Sequence, residues 1–297
     1  RLNVNLDYYD KLTDPLLAAV SVPSSVGSKR VMTNVGSQRT QGVSGTVKYS
    51  PVYHPEERIN WTLSASFKHQ KAKYEDIGNS LDQFNKENLN TSLVRYYDGG
   101  SPTALWAVRS LGINPSDGRE LFLTKEGTYT FEYDTEDEVV VGNSEPKLEG
   151  VLGSTLYWKG FSFSLYFRYS LGADVFTEAT YNKVENISLA GLKSNQDKRA
   201  LHDRWQKPGD HAKFKGISLT ETTPISSRFV LRENYIKAES ISIGYDFESQ
   251  AVQKLGIQSL RLQANTTDLF RISSIKEERG IEYPFARSFS FSLSAMF

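Results

Sequence analysis

The sequence predicts an all-β protein, a transmembrane antiparallel β-barrel, from three observations. Eight stretches alternate apolar with polar side chains, which places the two kinds on opposite faces of a β-strand. The last stretch, residues 283–297, carries phenylalanines on one face and serines on the other. The connections are alternately short and long, as the periplasmic turns and outer loops of outer-membrane barrels are. Alone, the last stretch fits a half-buried strand of a soluble β-protein equally well; the connections favour the barrel.

Composition excludes several classes of protein. The chain has 35 Lys and Arg against 35 Asp and Glu, and this balance argues against a nucleic-acid partner. It has no cysteine, so it has neither disulfides nor thiolate metal sites. No apolar run approaches the roughly 18 residues that a membrane-spanning helix needs. A helical inner-membrane protein is therefore excluded.

The first three predicted strands occupy the start of the chain. Leu2, Val4, Leu6 and Tyr8 share one face of the first strand. A loop rich in Pro, Ser, Gly and Asn follows over 13–40, and the second strand covers 43–49. A short charged turn at 54–58 leads to the third strand, 60–68. The first residue is not methionine and the chain begins inside a strand, so we expect a longer native chain.

Two long polar segments flank a predicted hairpin. The first, 74–146, predicts local hairpins at 104–111 and 121–133 but shows no core-sized apolar pattern. The turn Lys159-Gly160 joins the fourth and fifth strands, 152–158 and 161–171. The second polar segment, 173–234, predicts one short helix around 196–205.

The last three strands close the pattern. Ile236 and Ala238 share a face, whereas the apolar residues from Ile241 onward have the opposite parity, so one extra residue near Glu239-Ser240 predicts a β-bulge. A short connection over 248–257 leads to the seventh strand, 260–264. In the eighth strand the lipid-facing residues that mark the end of a barrel are Phe289, Phe291, Leu293 and Phe297.

A series of segments, in order along the whole chain, resembles the carboxy-terminal portion of the SusC/RagA type of TonB-dependent outer-membrane transporters of the Bacteroidetes. The segments are LDYYDKLTDPLL, NVGSQRTQGVSGTVKYS, LGINPSDGRELFLTKEGTYT, KLEGVLGSTLYWKGFSFSLYFRYSLGADV, RWQKPGDHAKFK, NYIKAESISIGYDF and EYPFARSFSFSLSAMF. One departure is Asp268-Leu269, where the family usually has an Asn-Leu pair. This departure leaves the fold expectation unchanged.

The resemblance implies a plugged barrel of about 22 strands, of which residues 1–297 supply the last eight. The amino-terminal plug domain and the TonB-contacting segment are not in these residues. The implied activity is TonB-dependent import of a large nutrient, an oligosaccharide or a peptide. The implied partners are TonB, outer-membrane lipid and a SusD-like surface lipoprotein. The implied location is the bacterial outer membrane, with the carboxy-terminus on the periplasmic side.

Residues for enzyme chemistry are not evident. The four histidines, His54, His69, His202 and His211, lie in predicted turns, strand ends and loops. His202-Asp203 with Asp210-His211 could offer metal ligands, but loop His and Asp are usually solvated. No hydrolase elbow, phosphate-binding loop or metalloprotease motif is present. We expect no catalytic residues, no metal and no cofactor.

The candidate solute contacts are aromatic residues of the outer loops and two residues of the lumen. Tyr96, Tyr97, Trp106 and Trp205 could stack on a sugar ring or pack on a peptide side chain, or they could hold the loops to one another. Tyr166 and Arg168 flank Phe167 and should face the lumen, where they could contact solute or the plug. Trp61, Trp158 and Tyr245 suit the aromatic belt at a membrane interface.

Two other architectures are alternatives. One is a structural or adhesive eight-stranded barrel that closes on itself, whose interior would be filled by side chains. The other is a soluble carbohydrate-binding β-sandwich, in which a second sheet would cover each apolar face. The serine-rich inner rows of the fifth and eighth strands favour a wide, wet interior.

Overall fold

The computed structural model describes residues 1–21, 25, 27, 28, 30–193, 195–218, 220–247, 256–276 and 287–297. Fifteen strands are assigned: β1 Leu2–Thr13, β2 Leu17–Ser21, β3 Arg30–Asn34, β4 Ser37–His54, β5 Ile59–Glu75, β6 Ala104–Ile113, β7 Glu120–Leu123, β8 Tyr129–Thr130, β9 Glu138–Asn143, β10 Leu148–Trp158, β11 Phe161–Phe176, β12 Val230–Phe247, β13 Ser259–Thr267, β14 Arg271–Ser273 and β15 Ser288–Met296. The α-helices are α1, Asp82–Glu87, and α2, Arg199–His202. Among the described residues, no helix combines the length and apolarity needed to cross a membrane.

One large antiparallel sheet contains the eight predicted strands. Its order is β1-β4-β5-β10-β11-β12-β13-β15, and the short β14 adds to β12. Successive long strands are neighbours, so the sheet is an up-and-down meander. The links after β4 and β10 are short, and the longer links after β1, β5, β11 and β13 all lie at the other end. Most of the predicted short link after β12 lies outside the described residues.

The register places apolar side chains on one face of this sheet. Across β5, β10, β11 and β12, the neighbours Leu63, Ser154, Leu165 and Ile241 lie in one row. No second sheet covers this face in the described part of the chain, and Leu2, Leu6 and Phe291 are about two-thirds or more exposed. A single sheet with one bare apolar face does not fit a soluble sandwich, whose apolar faces are covered.

The predicted bulge in the sixth strand is confirmed. Tyr166 of β11 pairs with Ser240, but the next residue, Phe167, pairs with Ala238. Glu239 is therefore the extra residue, and it restores the apolar parity of the strand on either side. The predicted Lys159-Gly160 turn is also present, with φ of 45° and 94°, the left-handed values that a two-residue hairpin turn needs.

The sheet is open at both edges. β1 pairs with β4, and β15 pairs with β13; within the described residues neither outer edge has a partner. The exposed apolar row of β15 includes Phe289, Phe291, Leu293 and the terminal Phe297. The start of the predicted closing stretch, 283–286, lies outside the described residues. An eight-stranded barrel that closes on itself would pair β1 with β15, and this pairing is not seen.

The buried core lies in the loops. β2 and β3 form a hairpin, and β8-β7-β6-β9 form a four-stranded sheet within 76–147. One cluster contains Leu93, Leu105, Ala107 and Ile225, and another contains Val35, Tyr74, Ile77 and Leu81. The expectation of no core in the first polar segment is therefore wrong, because its apolar residues meet partners from distant parts of the chain.

Two local predictions within the loops had different outcomes. The region 104–111 is one strand, β6, which pairs with both β7 and β9, so the predicted hairpin there is wrong. The hairpin in 121–133 is present as β7 and β8.

The short helix around 196–205 is confirmed as α2. Other short helical turns are the 3-10 turns Pro55–Glu57, Thr135–Asp137, Gly191–Lys193 and Ser227–Phe229 and the π-helical Thr180–Glu185.

Candidate functional site

The polar face of the large sheet is lined by small hydroxyl side chains and cross-strand ion pairs. Ser162, Ser164 and Ser242 lie on this face of β11 and β12. Lys68 Nζ lies 3.1 Å from Glu149 Oε1, and Arg261 Nε lies 3.6 Å from Asp246 Oδ1. Each ion pair joins neighbouring strands, so these four charges are balanced locally.

Arg168 and Tyr166 lie on the polar face of the sheet. The Arg168 guanidinium donates two hydrogen bonds, of 2.5 and 3.0 Å, to the carboxylate of Glu239, the extra residue of the bulge. The bulge thus turns a carboxylate toward Arg168. Because the Arg168 guanidinium is already paired with Glu239 within the sheet, little of its positive charge is left to attract a solute.

Tyr166 lies against the wall over Gly153. A Cβ atom at Gly153 would lie 2.8 Å from Cε1 of the Tyr166 ring, closer than van der Waals contact allows. The Tyr166 hydroxyl is 3.2 Å from Thr155 Oγ1. Glycine at 153 therefore lets the ring lie along the strand rather than project from it.

Replacing Gly153 by alanine is expected to destabilise the folded protein by about 1–3 kcal/mol, because the added methyl group overpacks both Ser64 Oγ and the Tyr166 ring. The temperature at which the complete protein loses its compact form on semi-native electrophoresis measures the loss. Adding Tyr166→Ser should recover part of it by removing the ring. An unchanged midpoint for Gly153→Ala, or a further loss in the double variant, would contradict the proposed packing.

Two of the four loop aromatics hold the loops together. Tyr96 packs against the cluster of Val35, Tyr74, Ile77 and Leu81, with its ring centroid 5.5 Å from that of Tyr74. Trp205 Nε1 donates a 3.0 Å hydrogen bond to the Pro115 carbonyl, and its ring covers Gly118. These contacts give both residues an internal structural role.

Tyr97 and Trp106 are placed differently. Their ring centroids are 5.0 Å apart, and both rings line a groove of about 950 Å³ beside the loop sheet. Tyr97 is 43% exposed. The other side of the groove is formed by the turn at Lys125-Glu126 and by residues 134–140. Of the aromatic candidates in the loops, this pair is the one that faces an open space.

A buried ionic network joins two of the long loops. Arg228 donates hydrogen bonds to the carboxylates of Glu120 and Glu185, with its Nη2 2.9 Å from an oxygen of each. Burial alone would lower the pKa of Arg228, but the bonds to Glu185 and Glu120 raise it above its ordinary value. Ser226 and Thr223 donate to the same two carboxylates. The guanidinium thus stays charged and ties 76–147 to 177–229.

A second buried ion pair includes Glu138, one of the residues that line the groove. Arg95 is nearly fully buried and donates two 2.9 Å hydrogen bonds to the carboxylate of Glu138. Its Nη1 also donates to the carbonyls of Ser92 and Val94. Sequence analysis named none of these charged residues, because each is separated from its partner by a long stretch of chain that carries no local signal.

Tyr133 links the same two loops through its hydroxyl, which is 2.5 Å from Asn90 Oδ1 and 3.1 Å from the Ile225 carbonyl oxygen. Burial raises the pKa of this phenol, with the nearby Glu138 carboxylate adding to the effect. The folded state therefore favours the neutral phenol. Its contribution is fully present below the ordinary pKa of about 10 and declines as the pH rises above it.

Tyr133→Phe is expected to destabilise the loops by about 1 kcal/mol at pH 8, because a partly buried hydrogen bond is lost. The difference in unfolding free energy from the unsubstituted protein should shrink at pH 11. At that pH the tyrosine must be kept neutral in the folded state, which costs stability, whereas phenylalanine has no proton to lose. Urea unfolding followed by the fluorescence of the loop tryptophans at the two pH values measures it. A constant difference would show that ionisation of Tyr133 is not coupled to folding.

The aromatic residues proposed for a membrane interface lie on the apolar face near the short turns. The Phe161 ring centroid is 6.1 Å from that of Trp158 and 4.5 Å from that of Tyr245. Trp61 Nε1 donates a 3.0 Å hydrogen bond to Ser154 Oγ.

In the residues that the structure describes, no three His, Asp or Glu side chains come together as a metal site.

Comparison with known proteins finds similarity to TonB-dependent receptors in sequence and to a peptide transporter in structure. No protein-family model matches the sequence. The TonB-dependent receptor P39 of Formosa agariphila is 23% identical over 324 aligned residues, which cover 92% of this chain and 30% of that protein. The TonB-dependent receptor P26 of the same organism is 26% identical over 93% of this chain and 29% of its own. The chain thus spans about 30% of the length of the curated relatives it matches.

Solved structures agree with this relationship. The structure of the RagAB peptide transporter matches with a TM-score of 0.75 and 18% identity, covering 93% of this chain and 30% of that one. The RagAB peptide importer in the open-open state matches with a TM-score of 0.71, also at 18% identity. The chain is therefore similar in sequence to TonB-dependent receptors, and its fold matches about 30% of a chain of the RagAB peptide transporter.

Proposed function

We propose that residues 1–297 are the carboxy-terminal barrel segment of a TonB-dependent importer of the bacterial outer membrane. The open edges of the eight-stranded sheet carry this proposal, because a sheet whose two edges find no partner in the described residues, and whose apolar face is bare there, needs lipid and further strands. In the complete protein these strands, the plug domain and the TonB-contacting segment would come from elsewhere in the chain. The coverage of the relatives supports this.

The orientation in the membrane follows from the two kinds of connection. Outer-membrane barrels have short periplasmic turns and long outer loops. The turns at 55–58 and 159–160 would then be periplasmic, and the loop sheet would lie outside the cell. The carboxy-terminus after β15 falls on the same side as the short turns, which supports a periplasmic carboxy-terminus.

The proposed cargo is a large nutrient, an oligosaccharide or a peptide, and the proposed lid is a SusD-like surface lipoprotein above the outer loops. The fold match to a peptide transporter supports this class of cargo. The folded outer loops support the lid, because their buried ion pairs give a partner a rigid surface to contact. An aromatic groove beside the loop sheet gives a solute a place to bind.

Uptake in whole cells tests the proposal. Cells that carry the complete gene in the chromosome should accumulate a labelled oligosaccharide or peptide mixture, and deletion of the gene should reduce uptake at least tenfold. Deletion of TonB should reduce uptake equally, because import across the outer membrane then has no energy source. Equal uptake with and without TonB would contradict an energised importer and favour a passive or structural barrel.

A further inference from the structure

We propose that the groove floored by Tyr97 and Trp106 binds the basic side chains of a peptide, so that the preferred cargo is a lysine- or arginine-bearing peptide. This inference rests on the proposed import function and narrows its cargo. The groove is defined as the space lined by Leu89, Tyr97, Trp106, Lys125, Glu126 and residues 134–140.

The floor of the groove is aromatic and accessible. The Tyr97 and Trp106 rings are tilted by 53° to each other, so they present faces in two directions. Val140 of β9, which pairs with Trp106, is 53% exposed beside them. The faces of tyrosine and tryptophan rings attract cations, and tryptophan attracts them most strongly. The floor is therefore suited to an ammonium or guanidinium group on an aliphatic stem.

The rim of the groove is acidic. Of the six charged residues described along the groove, five are carboxylates and one, Lys125, is basic. The charge of Glu138 is balanced by buried Arg95. The four other carboxylates are those of Glu126, Asp134, Glu136 and Asp137. They outnumber Lys125 by three, although the whole chain is neutral, so this is a local excess of negative charge.

Two of these carboxylates are available to a ligand. Asp134 Oδ1 accepts the backbone N–H of Glu136, and Asp137 Oδ1 accepts that of Lys125, so both are engaged in shaping the rim. Glu126 and Glu136 are exposed, and among the described residues neither side chain makes an ion pair or hydrogen bond. A cation that enters the groove can therefore form ion pairs with these two carboxylates.

The aromatic floor and the acidic rim together disfavour a neutral oligosaccharide as the cargo. A neutral sugar could stack on the rings, but it would gain nothing from an excess of carboxylate charge. A basic side chain gains from both the rings and the rim, and a peptide backbone can follow the groove beyond them. The charge complementarity therefore favours a basic peptide over a neutral oligosaccharide.

Binding of matched peptides to the complete transporter, purified in detergent, tests the inference. The probes are a labelled decapeptide with three lysines and the same peptide with three glutamines. We expect the lysine peptide to bind at least tenfold more tightly at 50 mM salt. The preference should fall at 500 mM salt, because exposed charges are then screened.

The decisive variant is Glu126→Gln with Glu136→Gln. It should weaken binding of the lysine peptide about tenfold, as the loss of two exposed charge contacts predicts, and leave the glutamine peptide unchanged. The matched control is Glu132→Gln with Glu221→Gln, two exposed loop carboxylates that do not line the groove. The control should bind both peptides like the unsubstituted protein.

The outcomes separate this inference from the proposed function. Equal binding of the two peptides, tighter binding of a neutral oligosaccharide, or equal effects of the two double variants would overturn the basic-peptide site. TonB-dependent uptake could still be observed in each of these cases. If the lysine preference and its loss in the groove variant are found but uptake is independent of TonB, the site stands and the proposed function fails.

Discussion

Replacing Leu165 by arginine is expected to destabilise the membrane-inserted protein by about 2–4 kcal/mol, because the charge would face the lipid near the middle of the membrane. Leu165 lies midway along the apolar row of β11 that runs from Phe161 to Tyr169, and it pairs with Ser154 and Ile241 on the neighbouring strands. The amount of folded protein recovered from outer membranes and its thermal midpoint on semi-native electrophoresis measure the effect.

The adjacent residue provides the matched control. Ser164 lies on the polar face of the same strand, opposite Thr155 and Ser242. Arginine at this position would project into the water-filled interior, so Ser164→Arg should change stability by less than about 1 kcal/mol. If the two substitutions had equal effects, the assignment of one face to lipid and the other to the lumen would be wrong.

Arg228→Met is expected to destabilise the outer loops by about 3–5 kcal/mol, because it leaves two buried carboxylates without their cation. The side chain of Glu185 is fully buried, and that of Glu120 is 2% exposed. Unfolding of the loops should then occur at lower urea concentration, and proteases should cut within 76–147 and 177–229. The barrel strands should stay protected by detergent.

Two further variants provide stability losses with which the effect of Arg228→Met can be compared. Arg228→Lys keeps the charge but loses the planar fork that reaches both carboxylates, so its effect should be intermediate. Arg232→Met removes the pair with Asp174, in which the arginine is 56% exposed, and should cost less than about 1 kcal/mol. Equal effects of Arg228→Met and Arg232→Met would show that the buried network does not hold the loops together.

The strands of the large sheet could be predicted because one face, which we propose to meet lipid, must be apolar. That requirement keeps an apolar residue at every second position, and the change of parity between Ala238 and Ile241 was enough to locate the bulge at Glu239. The strand ends beside the long loops were harder to predict. In 37–41 of β4, polar side chains occupy both faces, so the period-two signal is absent although pairing with β5 continues.

The loops could not be predicted for a different reason. Their core and their ionic network form between residues far apart in the chain; Arg95 and Glu138 are 43 positions apart, and Arg228 and Glu120 are 108 apart. The aromatic candidates were found from residue type alone. Only the structure separates Tyr96 and Trp205, which pack inside the loops, from Tyr97 and Trp106, which line a groove.

The most direct test of the account is an electron cryo-microscopy structure of the complete native polypeptide extracted from outer membranes, read for the strand partners of β1 and β15. The account predicts that each outer edge pairs with a strand from outside residues 1–297 of the same polypeptide, in a barrel of about 22 strands. A structure in which β1 pairs with β15 and closes an eight-stranded barrel would contradict it.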